Sequence, residues 1–367
     1  MNILFIANHL NVGGISSYLL TLGGGLKERG HNVYVASSGG GLEDRFKKSG
    51  IEHLHVPLRT KKEVSPKIII SFLKLSGQVR KLNIDVLHSN SRTTQVLGNL
   101  LSRYNKGIAH IFTCHGFFKP KLSRKLFPCW GNAVIAISSQ VKEHLVMDFK
   151  LDEKKISVIN NGIDTASFGD FSAREKTRRE LGVNDACLLV GIIARLSDVK
   201  GHTYLLQAMR NVVKIFPCVK LLIAGEGKTG ALLVEEVNEL GIKDKVIFLA
   251  EAQNNRDILA AMDVFVMPSL QEGLGLALME AMAQGLAVVG SSVGGIKTLI
   301  QDKENGLLVE PADPAGLAQA IIKLLGDNAL RVELGKNARK FIMENFSREK
   351  MVDETERVYE KCLEKED

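Results

Sequence analysis

Between Pro268 and Ala283 two carboxylates, Glu272 and Glu280, lie eight positions apart and bracket the turn Gly273-Leu274-Gly275-Leu276. Glu280 falls inside an otherwise apolar helical run of Leu276, Leu278, Met279, Ala281 and Met282. An ionised carboxylate in such a run is costly unless donors satisfy it, and the two hydroxyls of a ribose would do so. The glycine turn that opens the helix leaves backbone amides free to meet phosphate. An acidic turn followed by a half-exposed Glu fits this spacing of glycines poorly. Further back, Arg195 is followed by Lys200 and Gly201 on one loop. A guanidinium forks onto phosphate oxygens and an ammonium adds a point charge, so the pair suits a diphosphate, although two solvated loop cations would look the same.

Weaker signals lie after other short apolar runs. Gly225-Glu226-Gly227 offers small residues that would leave room for a nucleotide over a sheet edge. Asn11-Val12-Gly13-Gly14-Ile15-Ser16 places two glycines where a helix is about to start. Free amides there favour an anion, and a tight strand-to-helix turn explains the pattern equally well. Thr113-Cys114-His115-Gly116 puts a histidine where it could enter an interdomain cleft, although a lone His is more often structural. No Asp-x-Asp stands at a strand end to hold a metal diphosphate, and His53 and His55 read as strand alternation, not as metal ligands.

The elements that must carry these residues alternate in type. Apolar runs at 2–7, 32–37, 84–88, 108–113 and 133–137 read as strands, with a helix at 15–28. A second series begins near 187, with runs at 187–194, 219–225, 245–250, 263–267 and 286–290. Between them helical spacing marks 201–215, 229–240, 276–284 and 313–326. Strands apolar on both faces, separated by helices, indicate parallel sheets covered on both sides. Two such series predict an α/β chain of two Rossmann-like, doubly wound domains, 1–166 and 167–346, with the boundary in the polar stretch 165–186. A last helix over 347–364, within the terminal stretch 347–367, is expected to pack back on the first domain. In such sheets ligands bind beyond the carboxyl ends of the strands.

A length of 367 residues suits two domains, and 45% hydrophobic with 24% charged residues is the globular range. No apolar run approaches the roughly 20 residues that span a bilayer. The amino terminus reads as a first strand, not a signal peptide. Five cysteines, none in a Cys-x-x-Cys pair, read as reduced cytosolic thiols with neither disulfides nor zinc. Residues 1–166 carry 23 Lys and Arg against 11 Asp and Glu, while the rest has 25 against 30. A basic first half attracts anionic lipid or nucleic acid by electrostatics, or is merely a solvated face.

With these residues in hand, the chain resembles glycosyltransferase family 4, the retaining GT-B enzymes. The likeness runs nearly end to end, through Gly13-Gly14, Cys114-His115-Gly116, Ala136-Ile137-Ser138, Asn160-Asn161-Gly162-Ile163-Asp164, Arg195 with Lys200-Gly201, Gly225-Glu226-Gly227, Glu272 to Glu280, Gly294-Gly295 and Asn305-Gly306. The resemblance implies two Rossmann-like domains facing each other across a cleft. It implies that Arg195 and Lys200 hold the donor diphosphate, that Glu280 binds the ribose, and that Glu272 faces the donor sugar with help from the amides of Gly273, Leu274, Gly275 and Leu276. Gly225 and Gly14 would line the donor site. His115 would sit beside the sugar, and Gly13, Gly14 and Ser16 would line the acceptor side. It further implies no metal or cofactor beyond the nucleotide-sugar co-substrate, and front-face attack with retention of configuration. Many relatives carry an aromatic residue just after the Glu-Gly of the motif, where this chain has Leu274-Gly275-Leu276.

The implied reaction moves a hexose from a nucleotide-diphosphate sugar to a lipid-linked or polysaccharide acceptor. A nucleotide-sugar 2-epimerase of the same fold is the rival enzyme. A nicotinamide oxidoreductase is excluded because residues 13–16 do not form Gly-x-Gly-x-x-Gly. No stacking motif for nucleic acid is evident. The basic segments 117–130 and 61–81, which interleave cations with aromatic or aliphatic residues, point instead to an anionic membrane surface, although an ordinary packed helix with exposed lysines would look the same. The location expected is cytoplasmic, peripheral on the inner face of the cell membrane, with lipopolysaccharide or polysaccharide synthesis as the setting.

Overall fold

Runs of Val, Ile and Leu without polar alternation become parallel strands buried on both faces. The computed structural model describes residues 1–60, 62–63, 65–118, 124, 127–250 and 255–364. The chain divides into two units, Met1–Gly162 together with the chain from Arg348 onward, and Ile163–Ser347. In the first unit β1 (Asn2–Ile6), β2 (Asn32–Ser37), β3 (Glu52–His55), β4 (Val86–Ser89), β5 (Ala109–Cys114), β6 (Ala133–Ala136) and β7 (Ile156–Val158) form one sheet in the order β3-β2-β1-β4-β5-β6-β7. In the second, β8 (Leu189–Ile193), β9 (Lys220–Ala224), β10 (Val246–Leu249), β11 (Val264–Met267), β12 (Ala287–Ser291) and β13 (Leu307–Val309) run β10-β9-β8-β11-β12-β13. Every pairing in both sheets is parallel. These are the two Rossmann-like domains expected from the sequence. Strand order reverses between β1 and β4 in one sheet and between β8 and β11 in the other, which opens a crevice at each carboxyl edge.

Helices cover both faces of each sheet. Leu205, Met209 and Val212 of the helix His202–Ile215 pack with Leu317, Ile321 and Leu324 of the helix Pro314–Gly326 against β8, β9 and β11. The terminal helix Arg348–Leu363 belongs to the first unit, where Met351, Val352, Val358 and Tyr359 enter the core beside Leu19, Leu22 and Leu26 of the helix Gly14–Glu28. At its rim Glu356 accepts from Arg29 at 2.7 Å and contacts His31 at 2.6 Å.

The polar stretch 165–186 is not a bare linker. It carries the helix Arg174–Glu180, whose Arg178 is 2% exposed and donates to the Ala261 carbonyl at 2.9 Å while pairing with Asp263 at 3.3 Å. A buried cation with satisfied donors is invisible to hydropathy.

One expectation is overturned. Cys187 and Cys218 form a disulfide, with Cα atoms 5.0 Å apart. Register explains the miss: Leu189 of β8 pairs with Lys220 of β9, so the residues two positions before each strand meet. A search for close sequence pairs cannot see this juxtaposition. Cys114 and Cys129 remain free thiols.

Candidate functional site

At the carboxyl edge of the second sheet, the loops after β8, β9, β11 and β12 are tied to one another. Leu196 N donates to Glu226 O at 2.9 Å, Leu270 N to Val199 O at 2.8 Å, and Gly295 N to Glu272 O at 3.1 Å. Two glycines make the stacking possible. Gly201, at φ +72, lies so close to the Pro268 carbonyl that a Cβ would collide with it. Gly225, at φ +142, lies equally close to the Ala194 carbonyl. The smallness of Gly225 therefore serves the packing of one loop on the next, a reason different from the room for a nucleotide read from sequence.

This stacking joins residues 72 positions apart. Lys200, ending the 3-10 turn Asp198–Lys200, places Nζ 2.5 Å from Glu272 Oε2. The other carboxylate oxygen of Glu272 accepts from Gly273 N at 3.2 Å, and the Ser269 hydroxyl lies 3.5 Å from Oε2. Arg195 is exposed and makes no side-chain hydrogen bond or ion pair among the described residues. Beyond Glu272 the helix Leu276–Gln284 starts from Gly275 at φ +87, with no side-chain cap and no acid in its first turn. Its first amides thus lack partners from the helix itself, and its positive dipole end lies next in sequence to the Lys200–Glu272 pair. Leu274 is 3% exposed, so its side chain is packed into the interior. Glu280 is half-buried and accepts from Asn255 Nδ2 at 2.8 Å. The two carboxylates of the motif thus take different partners.

In the first unit the corresponding edge carries Gly13-Gly14 after β1, Asn90 after β4 and His115 after β5, three neighbouring strands. Gly13 and Gly14 are exposed and open the helix Gly14–Glu28, which has no side-chain cap. Ser16 is buried, and its hydroxyl points to the His9 carbonyl at 3.4 Å. His115 Nε2 lies 3.0 Å from Asn90 Oδ1, and its ring meets Tyr18 edge-on at 4.7 Å. Burial pushes the His115 imidazole down to about 3, so it is neutral near pH 7.

Three residues passed over in sequence belong to these edges. Asn90 holds His115, and the rule that ligands gather beyond strand ends, applied to the run at 84–88, points to it. Asn255 holds Glu280 from 25 positions upstream, with no local signal. His202, directly after Lys200-Gly201, is 2% exposed, with neither ring nitrogen hydrogen-bonded among the described residues. Burial pushes it down to about 4, helped by the Lys200 charge.

The basic segments resolve less evenly. In the helix Pro66–Lys81, Ile68, Leu75 and Val79 are buried, while Ile69, Ile70 and Leu73 are 61, 46 and 66% exposed. Of 117–130, Lys119, Lys121 and Lys125 lie outside the described residues. Arg124 pairs with Glu63 at 2.9 Å and stacks over Phe118 at 4.5 Å. Among the described residues no helix is long and apolar enough to cross a membrane, and no group of three His, Cys, Asp or Glu could hold a metal.

The two units match two family models in succession, Glycosyltransferase Family 4 over residues 12–167 and Glycosyl transferases group 1 over 173–341. The alpha-maltose-1-phosphate synthase of Mycolicibacterium smegmatis is 30% identical over 313 residues, covering 75% of this chain and 79% of that one. The UDP-Gal:alpha-D-GlcNAc-diphosphoundecaprenol alpha-1,3-galactosyltransferase of Escherichia coli is 28% identical over 308 residues, covering 80% and 79%. An uncharacterised glycosyltransferase of Methanocaldococcus jannaschii is 35% identical over 236 residues, and that match spans only 60% of its length. Among solved structures, Anabaena Alr3699/HepE in complex with UDP and glucose superposes with a TM-score of 0.87 at 21% identity, covering 98% of this chain and all of the other. Fold and sequence together define a transferase of the GT-B type. The chain belongs to glycosyltransferase family 4, and its second half carries the group 1 glycosyl transferase domain.

Proposed function

We propose that this glycosyltransferase moves a hexose from a nucleotide-diphosphate sugar to a lipid-linked or glycan acceptor, with retention and without a metal. The observation that carries the reading is the Lys200–Glu272 contact beside the uncapped helix start at Gly275, at the switch point of the second sheet. Lys200 and Arg195 answer the diphosphate charge, together with amides of the turn from Gly273 to Leu276. Glu272 contacts the sugar, and Glu280 the ribose hydroxyls. His115 hydrogen-bonds a substrate hydroxyl, and the loop of Gly13, Gly14 and Ser16 serves the acceptor.

In the reaction the bond between the anomeric carbon and the departing phosphate oxygen breaks. The acceptor oxygen bonds the same face, and the freed phosphate takes the acceptor proton. Developing negative charge on the diphosphate is what the cations and amides stabilise. A UDP-sugar is the first donor to try, since the E. coli relative is named for UDP-Gal and HepE was solved with UDP and glucose. A lipid-linked acceptor accords with the same relative's diphosphoundecaprenol substrate and with the first half's surplus of Lys and Arg.

The exposed Ile69, Ile70 and Leu73 beside Lys67 and Lys74 suit an anionic bilayer surface, where apolar contact and charge act together. The test of the main reading is a panel of UDP-, GDP- and ADP-sugars incubated with and without acceptor glycolipid. Transfer with the donor's anomeric configuration preserved supports it. A new sugar isomer formed without acceptor would indicate an epimerase and contradict it.

A further inference from the structure

A neutral histidine carries its proton on one ring nitrogen, and the choice decides which nitrogen donates and which accepts. Around His115 the hydrogen-bond network leaves one choice. Asn90 is 2% exposed, and its side-chain amide touches two groups. Its Nδ2 lies 3.0 Å from the His88 carbonyl oxygen. Its Oδ1 lies 3.0 Å from His115 Nε2. The His88 carbonyl can only accept, so the NH₂ end of Asn90 must face it. The oxygen end must then face His115. An amide oxygen also only accepts, so the hydrogen between them sits on Nε2. With the ring neutral, Nδ1 is left bare, and it makes no hydrogen bond among the described residues.

The support beneath Asn90 is itself fixed. His88 is fully buried, with Nδ1 2.5 Å from the Tyr359 hydroxyl and Nε2 2.6 Å from Thr113 Oγ1. Tyr359 comes from the terminal helix, so that helix clamps the residue whose carbonyl orients Asn90. Tyr18 closes the arrangement, with its hydroxyl 3.3 Å from Thr113 and its ring against His115.

We propose that Asn90 is a positioning residue that fixes His115 as the Nε2–H tautomer, so that Nδ1 is presented as an acceptor to a hydroxyl of the substrate. The group recognised must be a hydrogen-bond donor, and a deoxy or O-methyl sugar at that position would lose the contact. The second half rests on the placement of His115 at the substrate proposed above, whereas the tautomer does not.

The test is nitrogen NMR of the full chain labelled in histidine, with His115 assigned through His115→Gln. Near neutral pH the expected spectrum has a protonated Nε2 whose proton is protected from exchange, and an unprotonated Nδ1. Asn90→Ala should abolish that protection. A wild-type proton on Nδ1, or a protected Nε2–H that survives in Asn90→Ala, overturns the proposal. The wild-type spectrum decides even if the alanine variant does not fold. In kinetics, Asn90→Ala should lower kcat by about three- to tenfold, the worth of one hydrogen bond. A lost tautomer with unchanged kcat and KM would remove His115 from the substrate and so overturn the second half alone.

Discussion

Replacing Glu272 with Gln should tighten the binding of a free nucleoside diphosphate while it slows transfer. The Lys200 ammonium is 2.5 Å from Glu272, and their side chains are 20% and 13% exposed. A diphosphate arriving at Lys200 must share it with that carboxylate and must also approach a like charge. At about 5 Å and an effective dielectric of about 20, each unit of repulsion costs about 3 kcal/mol, an upper figure in a site open to solvent. Taking half of it as surviving solvent screening gives about 1.5 kcal/mol, or about tenfold in affinity. Gln preserves shape without the charge, so calorimetric titration of UDP into E272Q should show a Kd about tenfold lower than wild type. Lys200→Ala should move the other way. It loses a charge-assisted contact worth about 1.5–3 kcal/mol, so UDP should bind more than tenfold weaker and turnover should fall comparably. Raised salt should narrow both differences, because Debye screening acts on the charges alone. Weaker UDP binding in E272Q would show that the carboxylate does not compete for Lys200, and the electrostatic reading of this loop would fall.

His88, His110 and His115 are each pushed by burial to about 3 from an ordinary 6.5. Between those values the unfolded chain binds more protons, so the first unit should lose stability as pH falls from about 6.5 toward 3 and be flat above. A Tm unchanged between pH 7.5 and pH 5 would contradict this. The Cys187–Cys218 bridge closes a loop of 31 residues, so reduction should cost about 3–4 kcal/mol of unfolding free energy by chain entropy. Identical denaturation midpoints with and without a thiol reductant, in protein shown by mass to be oxidised, would refute that estimate. Ile69→Ser with Leu73→Ser should leave Tm within about 2 °C, as expected for surface substitutions, and abolish co-sedimentation with anionic vesicles. Retained sedimentation would assign membrane contact elsewhere.

Much of the fold could be read from periodicity because most strands are short, largely apolar runs and most covering helices carry one apolar stripe, whereas β3, Glu-His-Leu-His, alternates. The helix Asn328–Asn345 escaped because its composition is polar, with only Leu334, Gly335, Ala338 and Ile342 buried. The site followed the same division. Glu272, Glu280, Arg195 and Lys200 stood out by residue type and spacing. What spacing could not show was which groups touch, since those contacts are made across parallel register. The Lys200–Glu272 pair and the Cys187–Cys218 bridge join loops or strand ends, and the Asn255–Glu280 bond joins two helices, each across at least 25 positions. Asn90 went unnoticed for another reason: an amide carries no charge and draws attention only once its partners are known.

The loops after β8 and β11 must hold the donor diphosphate if the proposed chemistry is right, and a crystal structure of the chain with UDP addresses this most directly. It should place phosphate oxygens within hydrogen-bonding distance of Lys200 Nζ, the Arg195 guanidinium and amides of the turn from Gly273 to Leu276, with the ribose at Glu280. Well-ordered UDP bound elsewhere, with Lys200 still seated on Glu272, would contradict it.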